Sequence, residues 1–400
     1  MSTGEDPYRA RVLALARSGP DGLLAEAPPL VADPWIDPGA IEQLASAVPI
    51  PAALRFEHPL LERVVRIGLA HITLVPENSM TAEETVSAVD ALTRWGMVAP
   101  AEALFGSWLR RHVGRPGSAL PAPSTAGAYG QLLTAAYRLM SRGGSAVWLS
   151  ANRARLDQFA TQLQRLVHAQ GKPALIRSAQ HVGSSTVSGF WLHDNAWAAR
   201  GLSDWAHVVR NHRGAIPAAE RLRSDAGFLM LHVTDAASSA WNRREPFWWL
   251  TPAVDALPVL APDATHGGLR ESEATSRTNT TYWPLLLSSG VLSPALMARL
   301  VHARLNGGGQ LLGLSRSGNG LESGAFSDYL DGLWRLGLTD DYRYSLWGHI
   351  CFMQAEGHMT AYDAVTEPAC RPAGAFSLVA QLAPVRAIAR LAAGRYRAAR

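Results

Sequence analysis

Asn306-Gly-Gly-Gly-Gln-Leu-Leu-Gly-Leu-Ser-Arg-Ser-Gly-Asn-Gly320 opens the stretch, 306 to 367, whose reading decides the fold. Past this polar, glycine-rich turn, apolar residues recur at helical spacing from Asp328 onward (Tyr329, Leu330, Leu333, Trp334, Leu336) and stop at Gly337. A second run follows Asp340-Asp341, with Tyr344, Leu346, Trp347, Ile350, Cys351 and Met353, and yields to Ala355-Glu-Gly-His-Met-Thr-Ala-Tyr-Asp363. Intervals of three and four place these apolar side chains on one helical face. Packing does not call for loops so rich in Asp, Glu, His, Asn and Tyr, because a buried polar group is costly unless paired. A cleft that handles a polyhydroxylated ligand does call for them.

Working outward, the same pattern repeats. Leu60, Leu61, Val64, Val65, Leu69 and Ile72 form one stripe, and Thr81-Ala-Glu-Glu84 has the form of a capping box that opens a helix ending at Trp95-Gly96. Helices are predicted near 100–112, 127–140, 148–169, 197–210, 217–240, 280–287 and 294–305. Residues 1–57 read as a Pro-rich N-terminal segment with short helices near 9–17 and 38–47, and 58–400 as the main domain. About a dozen helices joined by short Gly-containing turns, with no alternating strand run and no fixed-period repeat, predict an all-α (α/α) toroid rather than a solenoid.

Composition narrows the function classes. The 400 residues are 48% hydrophobic and 18% charged, which suits a folded chain with a large core. A net charge of +4 and a pI near 9.3 look basic, but Lys172 is the one lysine, so the bases are arginines, scattered as high genomic GC content would scatter them. Only the tail, Arg386, Arg390, Arg395, Arg397 and Arg400, forms a cluster, and without a reading motif it does not indicate nucleic acid. The two cysteines, Cys351 and Cys370, indicate neither a zinc site nor a disulfide framework. No secretory leader and no apolar span of about 18 residues is visible, so a cytoplasmic location and no membrane partner are expected. No cofactor is expected. Gly307-Gly-Gly309 lacks the following Lys-Ser/Thr of a phosphate loop and reads as a close turn.

Tyr129-Gly-Gln-Leu-Leu133 with Ser145-Ala-Val-Trp-Leu149, Trp191-Leu-His-Asp-Asn-Ala-Trp197, Ser276-Arg-Thr-Asn-Thr-Thr-Tyr282, Gly308-Gly-Gln-Leu-Leu-Gly313 and Gly357-His-Met-Thr-Ala-Tyr-Asp363 together resemble bacterial (α/α)-toroid glycoside hydrolases over roughly residues 58–372. No numbered family is assignable. The resemblance implies cleavage of a glycosidic bond in an oligosaccharide or glycoconjugate by two carboxyl groups, one protonated and one ionised.

Asp194, between His193 and Asn195 and flanked by Trp191 and Trp197, is the first candidate for one carboxyl; the competing reading is a helix cap. Glu356 and Asp363 compete for the second. Arg277, Asn279 and Tyr282 offer a guanidinium fork, an amide and a phenol within six residues, groups that suit sugar hydroxyls or a carboxylated sugar. Trp191, Trp248 and Trp249 are candidate stacking platforms, and His193, Asn195, His358 and Tyr362 candidate hydrogen-bonding groups. His349 reads as a core histidine, and the histidines lack the i, i+4 spacing of a helical metal pair. Two alternatives stand beside the hydrolase: a terpenoid cyclase or isomerase on the same scaffold, which would need a sealed apolar cavity, and a sugar-binding toroid without catalysis.

Overall fold

The computed structural model describes residues 5–26, 38–50, 56–76, 78–114, 125–169, 171, 174–182, 185–213, 215–244, 247–255, 276–318, 320–354, 361–366, 371–373 and 376–398. Three short helices come first: α1 (Glu5–Ser18), α2 (Asp21–Glu26) and α3 (Pro38–Ser46). Then helices alternate between two layers. The outer layer holds α4 (Pro59–Leu74), α6 (Val98–His112), α8 (Ala146–His168), α10 (Ile216–Ser239), α12 (Pro294–Asn306) and α14 (Thr339–Phe352). The inner layer holds α5 (Ala82–Arg94), α7 (Ala126–Ser141), α9 (Leu192–Arg213), α11 (Trp283–Ser289), α13 (Phe326–Arg335) and α15 (Leu378–Ala398).

Inner helices pack in chain order, α5 on α7, α7 on α9, α9 on α11, α11 on α13 and α13 on α15, and α15 returns to α5. The protein is therefore an (α/α) toroid, with six inner helices closing a ring among the described residues. α1 and α2 lie against α14 and α3 against α4, with Val12, Leu15, Leu23 and Ile41 in the common core. Among the described residues, no helix is long and apolar enough to cross a membrane.

Local chemistry explains where the helices begin. Thr81 caps α5 in a full capping box with Glu84, and Thr125, Ser145 and Ser293 cap α7, α8 and α12. The ring is tightest where α7 crosses α9: a Cβ on Gly130 would collide with the Trp197 carbonyl, and one on Gly201 with the Gly130 backbone. α11 is preceded by a π-helical turn, Thr278–Tyr282, so the helix expected at 280–287 begins as a bulged coil.

Two expectations need correction. The glycine-rich turn of 306–320 is not strand-free. β5 (Gln310–Leu311), β6 (Leu314–Ser317) and β7 (Gly320–Glu322) join β8 (Ala364–Thr366) and β9 (Arg371–Pro372) in a five-stranded antiparallel meander. Two hairpins, β1 (Ser178–Val182) with β2 (Ser185–Gly189) and β3 (Trp241–Arg244) with β4 (Phe247–Leu250), fill the connections after α8 and α10. And of the arginines read as a C-terminal tail, Arg386 and Arg390 ride on α15, the helix that closes the ring.

A charge network holds that closure. Asp90 of α5, 0% exposed, meets Arg94 at 2.9 Å, Arg386 of α15 at 2.8 Å and Arg138 of α7 at 3.3 Å. Asp331 of α13 meets Arg390 of α15 at 2.7 Å. Burial pushes the Asp90 carboxyl up, but Arg138, Arg94 and Arg386 outweigh it and hold the carboxyl well below its ordinary range. This contribution to stability is present above the ordinary carboxylate range and is lost as pH falls through the depressed value. Asp90→Asn strands three guanidinium groups and is expected to destabilise the fold by about 3–5 kcal/mol. Urea unfolding at neutral pH measures this; a cost below about 1 kcal/mol would mean that the arginines re-pair elsewhere.

Candidate functional site

The helix alternation puts the starts of the inner helices where the connecting loops and the five-stranded sheet gather. A cavity of about 430 Å³ opens there, within the range of about 300–1,000 Å³ typical of small-molecule sites. Its lining comes from four inner-helix starts and from the sheet. Glu83 lies in the first turn of α5, Ser377 and Val379 at the start of α15, and Gly324 and Ala325 at the entry to α13. Ser276, Arg277 and Thr281 lead into α11, while Ser317, Glu322, Asp363 and Ala364 come from β6, β7 and β8.

Glu83 was not anticipated from the sequence. Glu84 closes the capping box, its carboxylate accepting from the Thr81 backbone N–H at 2.7 Å, which leaves Glu83 free of that task. The Glu83 side chain lines the cavity and keeps an exposed surface. Burial pushes the Glu83 carboxyl up to about 7, and the negative charges of Asp328 and Asp363 add to the effect. Burial likewise raises Asp328, in the first turn of α13. The β7–β8 pairing sets Glu322 opposite Ala364, and the Ser323 N–H donates to the Asp363 carbonyl at 2.8 Å, so the residue before β8 is tied to the end of β7 and both Glu322 and Asp363 line the cavity. Arg277 has no acidic partner among the described residues. One carboxyl that favours its protonated form thus faces a cavity holding two more carboxyl groups, a guanidinium and several hydroxyls.

Of the residues singled out in the sequence, Asp363 and Arg277 line this cavity. Glu356 and His358 lie outside the described residues. Asp194 is 2% exposed, and its carboxylate accepts from Ser178 Oγ and from Gln180 Nε2 at 2.8 Å, anchoring β1 to the start of α9. The Asn195 amide accepts from Ile176 N–H at 2.6 Å and donates to the Ile176 carbonyl at 2.9 Å, stitching the same connection. Asn279 Nδ2 donates to the Gly309 and Arg316 carbonyls at 2.6 and 2.9 Å, which fixes the π-helical turn to the sheet.

Aromatic placement follows burial rather than access. Trp191 and Trp249 are 0% exposed, so their ring faces meet other side chains instead of an open cleft. Trp249 packs on Trp283 at 5.1 Å, while Trp191, His193 and Tyr282 form a mutual ring cluster in which His193 stacks on Tyr282 at 4.8 Å. Burial lowers the His193 imidazole, with Asp194 opposing. Trp248 is 45% exposed on β4, where the Arg299 guanidinium lies 4.6 Å from its ring. Tyr362 is 6% exposed and pairs through its backbone with Phe376. His349 is fully buried, stacks on Phe326 at 5.1 Å and has its imidazole pushed down to about 3 by burial, as a core histidine would.

No protein-family model and no curated protein sequence matches the chain. Solved structures do. A glycosidase in its wild-type form is 15% identical with a TM-score of 0.51, and a point variant of a glycosidase is 14% identical with a TM-score of 0.52. Each match covers 85% of this chain and 99% of the other. A GH76 α-mannanase from Bacteroides thetaiotaomicron is 9% identical with a TM-score of 0.44, covering 80% of this chain and 87% of its own. At such identities the two glycosidases share the fold with this chain.

The hydrogen bonds at Asp194 separate two roles for it. Asp194→Ala removes the acceptor for Ser178 and Gln180 and is expected to destabilise the fold by about 1–3 kcal/mol, read as a lowered denaturant midpoint. Loss of turnover with an unchanged midpoint would instead make Asp194 part of the chemistry.

Proposed function

We propose that this protein is a glycoside hydrolase acting on an oligosaccharide or glycoconjugate in the cavity at the starts of the inner helices. The observation that carries this reading is the gathering of three carboxyl groups, Glu83, Glu322 and Asp363, around one polar cavity, with desolvation and the neighbouring acids raising Glu83. Glycosidic cleavage needs one carboxylic acid to protonate the leaving oxygen and one carboxylate to act on the anomeric side. Glu83 is the acid: burial and two neighbouring negative charges keep its proton on at the pH where a free glutamate has lost it. Asp363 or Glu322 is the carboxylate, as base toward water or as nucleophile. Arg277, Ser276, Thr281, Ser317 and Ser377 supply donors and acceptors for sugar hydroxyls.

The fold shared with two solved glycosidases supports the reading, and the character of the cavity weighs against a terpenoid cyclase. A cyclase shields a carbocation with apolar and aromatic walls, whereas three carboxyl groups and a guanidinium line this cavity. A sugar-binding toroid without turnover remains as the outcome in which ligand binds and no substrate is cleaved.

The test is a panel of aryl glycosides and natural oligosaccharides assayed with the wild type and with Glu83→Gln. Turnover on at least one substrate, reduced about 10²–10⁴-fold by the substitution, is expected. Turnover insensitive to Glu83→Gln would reject the assignment, and binding without turnover on any substrate would leave the non-catalytic toroid. With Glu83 as the acid, kcat/KM is expected to fall on the alkaline side with an apparent pKa near 7.

The stability linkage has a definite sign. The folded state holds the Glu83 proton more tightly than the unfolded chain, so its contribution is most favourable below 4.5 and is lost as pH rises to about 7. Glu83→Gln should therefore gain melting temperature relative to the wild type across that interval and level off above it. A difference that stays flat with pH would show that the carboxyl titrates normally.

A further inference from the structure

The opposite end of the ring, where inner helices finish, gathers arginines. Arg94 is in the last turn of α5, Arg138 in the last turn of α7, Arg142 is the C-cap of α7, and Arg335 ends α13. Arg386 and Arg390 reach the same region from α15, and the guanidinium of Arg335 lies against Gly290, the left-handed C-cap of α11. Six guanidinium groups thus gather at this end, and four of them, Arg94, Arg138, Arg386 and Arg390, share two carboxylates, Asp90 and Asp331. Arg142 and Arg335 are exposed and have no acidic partner among the described residues. Among the described residues, the buried Nε of Arg390 has no acceptor.

Helix ends account for part of this surplus. The carbonyl ends of α5, α7, α11 and α13 meet here, and each carries roughly half a negative charge, about two in all. Six positive charges less two carboxylates leave four, so a surplus of about two positive charges remains beyond what the helix ends neutralise. The surplus has a cost: partial desolvation of their inner atoms first, and then neighbouring guanidinium groups, pull Arg142, Arg335 and Arg390 below the ordinary arginine value, even though Arg142 and Arg335 keep an exposed surface.

We infer that this arginine-lined end of the ring binds a phosphate dianion, either free phosphate or the phosphoryl group of a phosphorylated sugar. Arg142 and Arg335 are its outer donors and Arg390 Nε the inner one. A dianion matches the surplus charge, meets the donor left without an acceptor, and suits the fork geometry of guanidinium groups. The site lies at the far end of the ring from Glu83 and takes no part in the chemistry proposed there.

The test is thermal unfolding and calorimetry of the full chain at pH 8 in inorganic phosphate, against sodium chloride of equal ionic strength. The double variant Arg142→Gln, Arg335→Gln serves as control; both residues are exposed, so the fold should survive their replacement. Phosphate is expected to raise the melting temperature saturably by a few degrees or more beyond chloride, with an affinity about tenfold or more weaker in the variant. Glucose 6-phosphate distinguishes the source: tighter binding than phosphate identifies a phosphorylated sugar, and equal binding identifies the free ion. An effect no larger than that of chloride, or a double variant that binds phosphate as the wild type does, overturns the proposal.

Discussion

The toroid depends on the contact of Asp90 with Arg94, Arg138 and Arg386. A ring of helices has one seam where the last inner helix must meet the first, and apolar packing alone tolerates sliding there by a turn. A fully buried carboxylate shared by guanidinium groups from α5, α7 and α15 does not, because any other register strands a charge in a medium of low dielectric. Trp95 and Tyr342 add fixed points, donating to the Val385 and Ala387 carbonyls of α15 at 3.1 and 2.9 Å. With the seam fixed, the starts of α5, α11, α13 and α15 converge on one cavity.

That convergence sets the electrostatics of the site. The starts of helices favour negative charge, which by itself would lower an acid such as Glu83. Burial and the crowding of Asp328 and Asp363 win, and the carboxyl ends above its usual value. Arg386, paired with Asp90, also opposes the upward push on Glu83 and on Asp328. The arginines at the other end therefore belong to the same electrostatic field as the acids at the mouth, with opposite sign.

Much of the ring was legible in the sequence and its last member was not. α5, α7, α8, α10, α12, α13 and α14 announce themselves by apolar spacing, and α5 also by the Thr81 capping box. α15 carries Leu378, Leu382, Val385 and Ile388 at the same spacing, but Pro384 interrupts the run and arginines crowd its exposed-looking face. Their burial depends on Asp90 and Asp331, residues 296 positions upstream of Arg386 in one case and about sixty upstream of Arg390 in the other, which no local reading can pair. The strands of the meander, two to four residues long, fall below what periodicity can register. At the site, Arg277 and Asp363 stood out because loops rich in polar groups invite a ligand. Glu83 did not, since a capping box explains an acidic pair at a helix start unless one asks which of the two acids the cap uses. The tryptophans misled in the other direction: placed in connections by sequence, Trp191 and Trp249 are core residues.

The seam also has a temporal meaning. Asp90 and Arg386 are 296 residues apart, so the bond that closes the ring joins nearly opposite ends of the chain. During synthesis the first five inner helices would emerge with α5 and α13 each missing a neighbour and with Asp90 short of one of its guanidinium partners. Closing so long a loop carries an entropic cost that grows only slowly with length, but it must be met before the seam contacts reward it. Once α13 has emerged, a growing chain of this kind has every inner helix but one, and the ring can close only when α15, with Arg386, follows.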